Sequence, residues 1–176
     1  MKTNKIVKKT VYSALFAALA FVATVCVHIS IPGVNGAYIN FGDCIVFASG
    51  IILGPLYGGL AAGIGSAFAD AFYGAWIYVP GTFVIKMLMA VMASVLYKAL
   101  SKNKKDYHFI PLSVSSIVSE LIMVFGYFLY EGIIYGFAAS IISIPFNLIQ
   151  AGAGIVVSVV LLVVMKKTKI INLIKF

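Results

Sequence analysis

From residue 41 to residue 77 the chain reads "FGDCIVFASGIILGPLYGGLAAGIGSAFADAFYGAWI", 37 residues in which only Asp43 and Asp70 are charged. As a single α-helix this stretch would be about 55 Å long, against a bilayer hydrocarbon core of about 30 Å. It must fold back on itself. The break belongs at "GPLYGG", residues 54–59, because glycine accepts turn dihedrals and Pro55 cannot continue a helical N–H ladder. Two short spans joined by a tight turn are the result.

The remainder of the chain has the same character. Of 176 residues, 62% are hydrophobic and 10% charged, whereas a soluble domain is about half apolar and a quarter charged. The expectation is an all-α integral membrane protein forming one membrane domain over residues 1–176. Its six spans fall at about 10–31, 41–57, 59–76, 80–98, 109–130 and 141–165. The stretches "IPGVNGAYINFGD", "GAWIYVPGT" and "YEGIIYGFAAS" supply the outer connections. The opening residues, basic and then apolar, have the look of a signal peptide, but the apolar run of roughly 20 residues is too long for one and is expected to remain as the first span.

The formal charge of +8 would raise nucleic acid as a partner of a soluble protein. Here the placement of the charge excludes it. There is no arginine, and twelve of the thirteen lysines form three groups, at 2–9, 98–105 and 166–175. Short lysine-rich segments beside spans stay in the cytoplasm, so both termini and the central loop are expected to face inward across a cytoplasmic membrane. The thirteenth lysine is Lys86, inside a span.

Counted by helical rise, Asp70 and Lys86 lie at one depth, roughly 9 Å from the outer ends of the third and fourth spans. Asp43 lies near the outer start of the second, Glu131 near the outer end of the fifth, and Asn147 and Gln150 in the outer half of the sixth, with Glu120 closer to the midplane. The inner half is sealed by leucine, valine, isoleucine and methionine. Intramembrane charge costs about 2.5 kcal/mol or more per residue, so such groups pair, face a wet cavity, or both. Asp70 and Lys86 either pair with each other to pin two spans, or line an outward-opening cup that holds a small polar solute. In the second case, replacing either is expected to weaken binding without unfolding the chain. Tyr38, Tyr73, Trp76, Tyr78, Tyr127, Tyr130 and Tyr135 all map to the outer side, as an interfacial belt or as stacking surfaces for a planar ring. Glycines 59, 63 and 65 suit close helix packing, and Gly152 and Gly154 are further packing candidates.

No phosphate loop, zinc-protease motif or serine elbow occurs, and Cys26 and Cys44 lack metal-ligand spacing. No cofactor, metal or catalytic residue is expected. The absence of arginine disfavours a phosphorylated ligand.

The stretches "GAYINFGDCIVFASGIILGPLYGGLAAGIGSAFAD" and "YVPGTFVIKMLMA" resemble the membrane-embedded S components of energy-coupling factor (ECF) vitamin transporters, most closely the riboflavin-type group that also holds proteins for hydroxymethylpyrimidine and pyridoxine. The resemblance spans about residues 10–165. It implies a six-helix S component that takes a vitamin or precursor from outside, with hydroxymethylpyrimidine or pyridoxine favoured and riboflavin next. Its partners would be a transmembrane coupling subunit and two ATP-binding subunits. By position, the implied pocket draws on Tyr38, Asn40, Asp43, Asp70, Tyr73, Trp76, Lys86, Asn147 and Gln150. Asp43 has the alternative of capping the second span, and Glu120 and Glu131 that of packing or the outer surface. The implied docking patch is Ala14 and Ala18 in "ALFAA", with Ser13 and Ala17 alongside. A self-sufficient carrier or channel with an Asp70, Lys86 and Glu120 relay is the competing reading, and a small membrane enzyme lacks a visible reactive group.

Overall fold

The computed structural model describes residues 2–31, 33, 37–101 and 109–168. Among these residues six helices occur in the order α1 (Lys2–Cys26), α2 (Asp43–Leu53), α3 (Pro55–Phe72), α4 (Val79–Leu100), α5 (Phe109–Tyr135) and α6 (Phe137–Lys167). Between α1 and α2, β1 (Ile29–Ser30) and β2 (Tyr38–Ile39) pair antiparallel with Ile29 opposite Ile39.

The fold-back anticipated at 54–59 narrows to one residue. Gly54 has φ of 88°, a left-handed value that suits glycine, and Pro55 opens α3, where its missing N–H costs nothing. The helix before it is shorter than the span expected over 41–57. At 11 residues α2 rises about 16 Å and cannot cross a bilayer alone. Nine of its residues are buried, because it sits inside the bundle against α1, α3, α4 and α6.

Among the described residues four helices, α1, α4, α5 and α6, contain segments long and apolar enough to cross a membrane. Their outer faces carry exposed apolar side chains in place of charge. On α1, Val7, Val11, Leu15, Leu19 and Val22 recur every three or four residues and form one stripe. Such a surface is stable against lipid tails and unstable in water.

Three further boundaries differ from the sequence expectation. The first span, expected to reach residue 31, ends at Cys26, because Ile29 and Ser30 are taken up by the hairpin. The connection expected over 131–140 contracts to Gly136, which reverses the chain with φ of 87°. With so short a turn, α5 continues to Tyr135 and α6 begins at Phe137. The lysines of the central loop, 102–105, and those at 169 and 175 lie outside the described residues. Of the others, Lys9 Nζ lies 5.5 Å from the Tyr57 ring centroid, and Lys98 Nζ is 3.6 Å from where a Cβ on Gly54 would stand. The start of α1, the α2–α3 turn and the end of α4 thus share one end of the bundle, here called the lysine end.

Close packing of α2 on α4 depends on a missing side chain. A Cβ on Gly50 would stand 2.1 Å from the Ala90 carbonyl oxygen, a backbone atom that cannot step aside. Gly50→Ala is therefore expected to destabilise the fold by about 1–3 kcal/mol, read as a lowered melting temperature in detergent. Gly152→Ala should leave it unchanged, because nothing lies within 4 Å of that position. Gly152 is thus not the packing residue its sequence context suggested, whereas Gly154 is pressed against the Glu120 carboxylate.

Candidate functional site

At the end opposite the lysines, the hairpin and helices α3 to α6 enclose a polar cavity. Tyr38 and Asn40 enter it from β2 and the residue after it, Asp70 from α3, and Asn147 and Gln150 from α6. Tyr78, Thr82, Tyr127 and Glu131 complete its polar wall. Its free space is about 20 Å³, enough for roughly one water. The walls are hydrogen-bonded to one another across it, and this accounts for the small volume.

Two bonds hold the hairpin over the cavity. The Tyr38 hydroxyl donates to Asp70 Oδ1 at 2.5 Å, and the Asn40 backbone N–H donates to Gln150 Oε1 at 2.8 Å. Burial and the neighbouring Asp70 carboxylate push the Tyr38 phenol well above its usual range, so it keeps its proton and remains the donor. Asn40 Oδ1 accepts the Gly42 N–H at 2.9 Å, which shapes the entry into α2. Outside this layer the His28 ring stacks on Tyr38 at 4.3 Å and lies 4.0 Å from the Tyr73 ring. Burial there lowers the His28 pKa.

Beneath the cavity Lys86 is bonded to Asp43, not to Asp70. The ammonium donates to Asp43 Oδ1, and Gln150 Nε2 donates to Asp43 Oδ2 at 2.5 Å. Lys86 is 2% exposed and Asp43 0%, so the pair is closed to solute and pins α4 to α2. Of the two readings of Asp70 and Lys86, mutual pairing is thereby ruled out, and Lys86 does not line the cavity either. Equal depth is not adjacency: α2, wedged among the other helices, brings Asp43 to the lysine first. Asp43 does not cap its helix either, since Gly42 occupies the N-cap position and no side-chain cap bond is made.

Of the residues expected to line a pocket, Tyr38, Asn40, Asp70, Asn147 and Gln150 do so, while Asp43 and Lys86 form the layer below. Tyr73 lies outside the lining and donates its hydroxyl to the Val25 carbonyl at 2.6 Å. Trp76 is 69% exposed and does not line the cavity. Glu131, assigned by sequence to packing or the outer surface, is a buried wall residue accepting bonds from Tyr78, at 3.2 Å, and from Ser143. Thr82 was also missed, and Tyr127, counted among the outer aromatics but not in the implied pocket, lines the cavity beside it, their hydroxyls bonded to each other at 2.9 Å. A signal for them existed. Thr82 precedes Lys86 by four residues, Tyr127 precedes Glu131 by four, and Ser143, Asn147 and Gln150 repeat at four and three, so each set shares one helix face.

A second feature runs between α1 and α3. Ser13, Ala14, Ala17 and Ala18 form one wall of an apolar groove of about 690 Å³, with Gly65 and Phe68 on the other. Its floor is tight, because a Cβ on Gly65 would meet the Ala17 carbonyl oxygen at 2.3 Å. Ala14 and Ala18 are exposed along its rim.

Known proteins are similar to this chain over most of its length. The family model described as ECF-type riboflavin transporter, S component, matches residues 4–167. An uncharacterized protein from the gap 3′ region of Pyrococcus woesei is 33% identical over 147 residues, covering 83% of this chain and 93% of that protein. The thiamine precursor transporter HmpT of Lactococcus lactis subsp. cremoris is 26% identical over 170 residues, covering 96% and 94%. With its long apolar helices, its polar cavity and this match over residues 4–167, the chain belongs to the ECF-type riboflavin transporter S component family, a family of membrane transport subunits and not of enzymes.

Proposed function

We propose that this chain is the capture subunit of an ATP-driven importer in the cytoplasmic membrane, taking a small water-soluble vitamin or precursor from outside. Hydroxymethylpyrimidine or pyridoxine is favoured and riboflavin follows. The lysine end faces the cytoplasm, as the charge rule requires, the short α2 and α3 lie within the membrane layer as a fold-back among the longer spans, and the polar cavity faces outward. A transmembrane coupling subunit docks on the α1–α3 groove, and two ATP-binding subunits supply the energy. The observation that carries this reading is a polar cavity at the end away from the lysines, in a chain matched by the family model over residues 4–167. The similarity to a thiamine precursor transporter supports the choice of ligand.

The test is reconstitution. The purified chain in liposomes is expected to bind one of hydroxymethylpyrimidine, pyridoxine or riboflavin without accumulating it. Accumulation should require the coupling subunit, the ATP-binding subunits and ATP. Uptake by the chain alone, driven by an ion gradient, would overturn the proposal in favour of a self-sufficient carrier.

A further inference from the structure

Buried polar side-chain atoms are nearly always hydrogen-bonded, so each exception calls for a cause. Eight such atoms lack a partner among the described residues, and only two belong to residues lining the cavity: Asp70 Oδ2 and Asn147 Nδ2. One is an acceptor and the other a donor. Asp70 is 3% exposed and Asn147 5%. The Asp70 carboxylate already takes the Tyr38 hydroxyl on Oδ1, and Oδ2 has no bonded partner, although the Thr82 hydroxyl that bonds Tyr127 lies beside the carboxylate.

Charge sharpens the selection. Among the described residues, the buried acids are Asp43, Asp70, Glu120 and Glu131, and the only buried lysine is Lys86. Lys86 is committed to Asp43. Asp70 therefore faces the cavity without a bonded cation, and a ligand that brings an N–H donor or a positive charge to it is favoured. An ionised carboxylate only accepts, whereas a primary amide offers both N–H and C=O. Space sets the last condition. Since the Tyr38–Asp70 and Asn40–Gln150 bonds close the walls, every added ring of a ligand forces them further apart.

We propose that Asp70 and Asn147 together select a single-ring aza-heterocycle carrying an exocyclic amine beside a ring nitrogen, the edge of an aminopyrimidine. The amine donates to Asp70 Oδ2, and the adjacent ring nitrogen accepts from Asn147 Nδ2. Pyridoxine has no exocyclic amine to fill the first position, and the three-ring flavin demands the widest opening. This assignment rests on the capture reading above and names its ligand.

The decisive comparison changes one group on the ligand. Hydroxymethylpyrimidine and its oxo analogue, in which a carbonyl replaces the exocyclic amine, are titrated calorimetrically into the intact purified chain in lipid nanodiscs, with pyridoxine and riboflavin as further probes. In the oxo compound the carbonyl faces Asp70 and the ring N–H faces Asn147. The amide can turn to accept, but the carboxylate cannot turn to donate. The amino compound is expected to bind at least roughly 100-fold more tightly than the oxo compound, since a site built for a hydrogen-bonding group rejects the analogue that lacks it. Asp70→Asn should narrow that ratio to within roughly tenfold, since an amide can face either edge, and its melting temperature shows whether it is folded. Equal affinity of the wild-type chain for both pyrimidines, or tighter binding of pyridoxine or riboflavin, would overturn the assignment while leaving the capture reading intact. Failure of the folded chain to bind any of the four would remove both.

Discussion

Lys86→Met is expected to cost about 3–5 kcal/mol of stability, the range for removing one partner of a buried ion pair. The expectation follows from where the ammonium lies. It is bonded to a fully buried carboxylate that has no other cation bonded to it, in a layer that also ties α6 to α2 through Gln150. Without the lysine, Asp43 must either carry an unpaired charge in a dry interior or take up a proton, and both penalise the folded state. Thermal melting of the purified protein reads the effect directly. The double variant Lys86→Met with Asp43→Leu should recover most of the loss, because an apolar replacement of both partners is often neutral or better. Read from the sequence, the same substitution was expected to weaken ligand binding and spare the fold. A variant that melts like the wild type but binds ligand poorly would restore that earlier view and place Lys86 in the cavity wall.

Leucine at Ala14 and Ala18 together is expected to abolish ATP-driven uptake, by at least roughly tenfold, while leaving ligand affinity and melting temperature unchanged. Small residues on a membrane helix allow a partner helix to approach closely, where packing and backbone contact hold the two together. Both alanines are exposed on the rim of the α1–α3 groove, so larger side chains there meet no part of this chain's own core. Gly65, by contrast, is in contact with the Ala17 backbone, and enlarging it would separate α1 from α3 and confuse docking with folding. The measurement is paired: vesicle uptake with the complete importer, and calorimetric binding by the isolated subunit. Unaltered uptake would move the docking face elsewhere, and lost binding would mean that the groove communicates with the cavity.

Much of the architecture could be read from residue order alone, because hydropathy, charge and breaking residues act along one dimension. The apolar content, the fold-back at Gly54 and Pro55 and the three lysine groups follow from costs that each residue meets wherever its neighbours lie. The polar residues of the cavity were also partly visible, as charged and amide side chains at similar depths in Asp70, Asn147 and Gln150. What residue order could not supply was rotation and contact. Asp70 and Lys86 share a depth, yet the shorter and more deeply buried α2 presents Asp43 to the lysine, and Tyr38 reaches Asp70 from a hairpin with no strong strand signal. Glu131 enters the wall because a turn of one residue at Gly136 brings α6, with Ser143, back against α5. Trp76 was placed by depth among the ring-stacking candidates and is instead exposed. The sequence determined which groups are too costly to leave in lipid, whereas the packing order of the helices decided which of them satisfy one another and which two in the cavity lining, on Asp70 and Asn147, keep an atom without a partner.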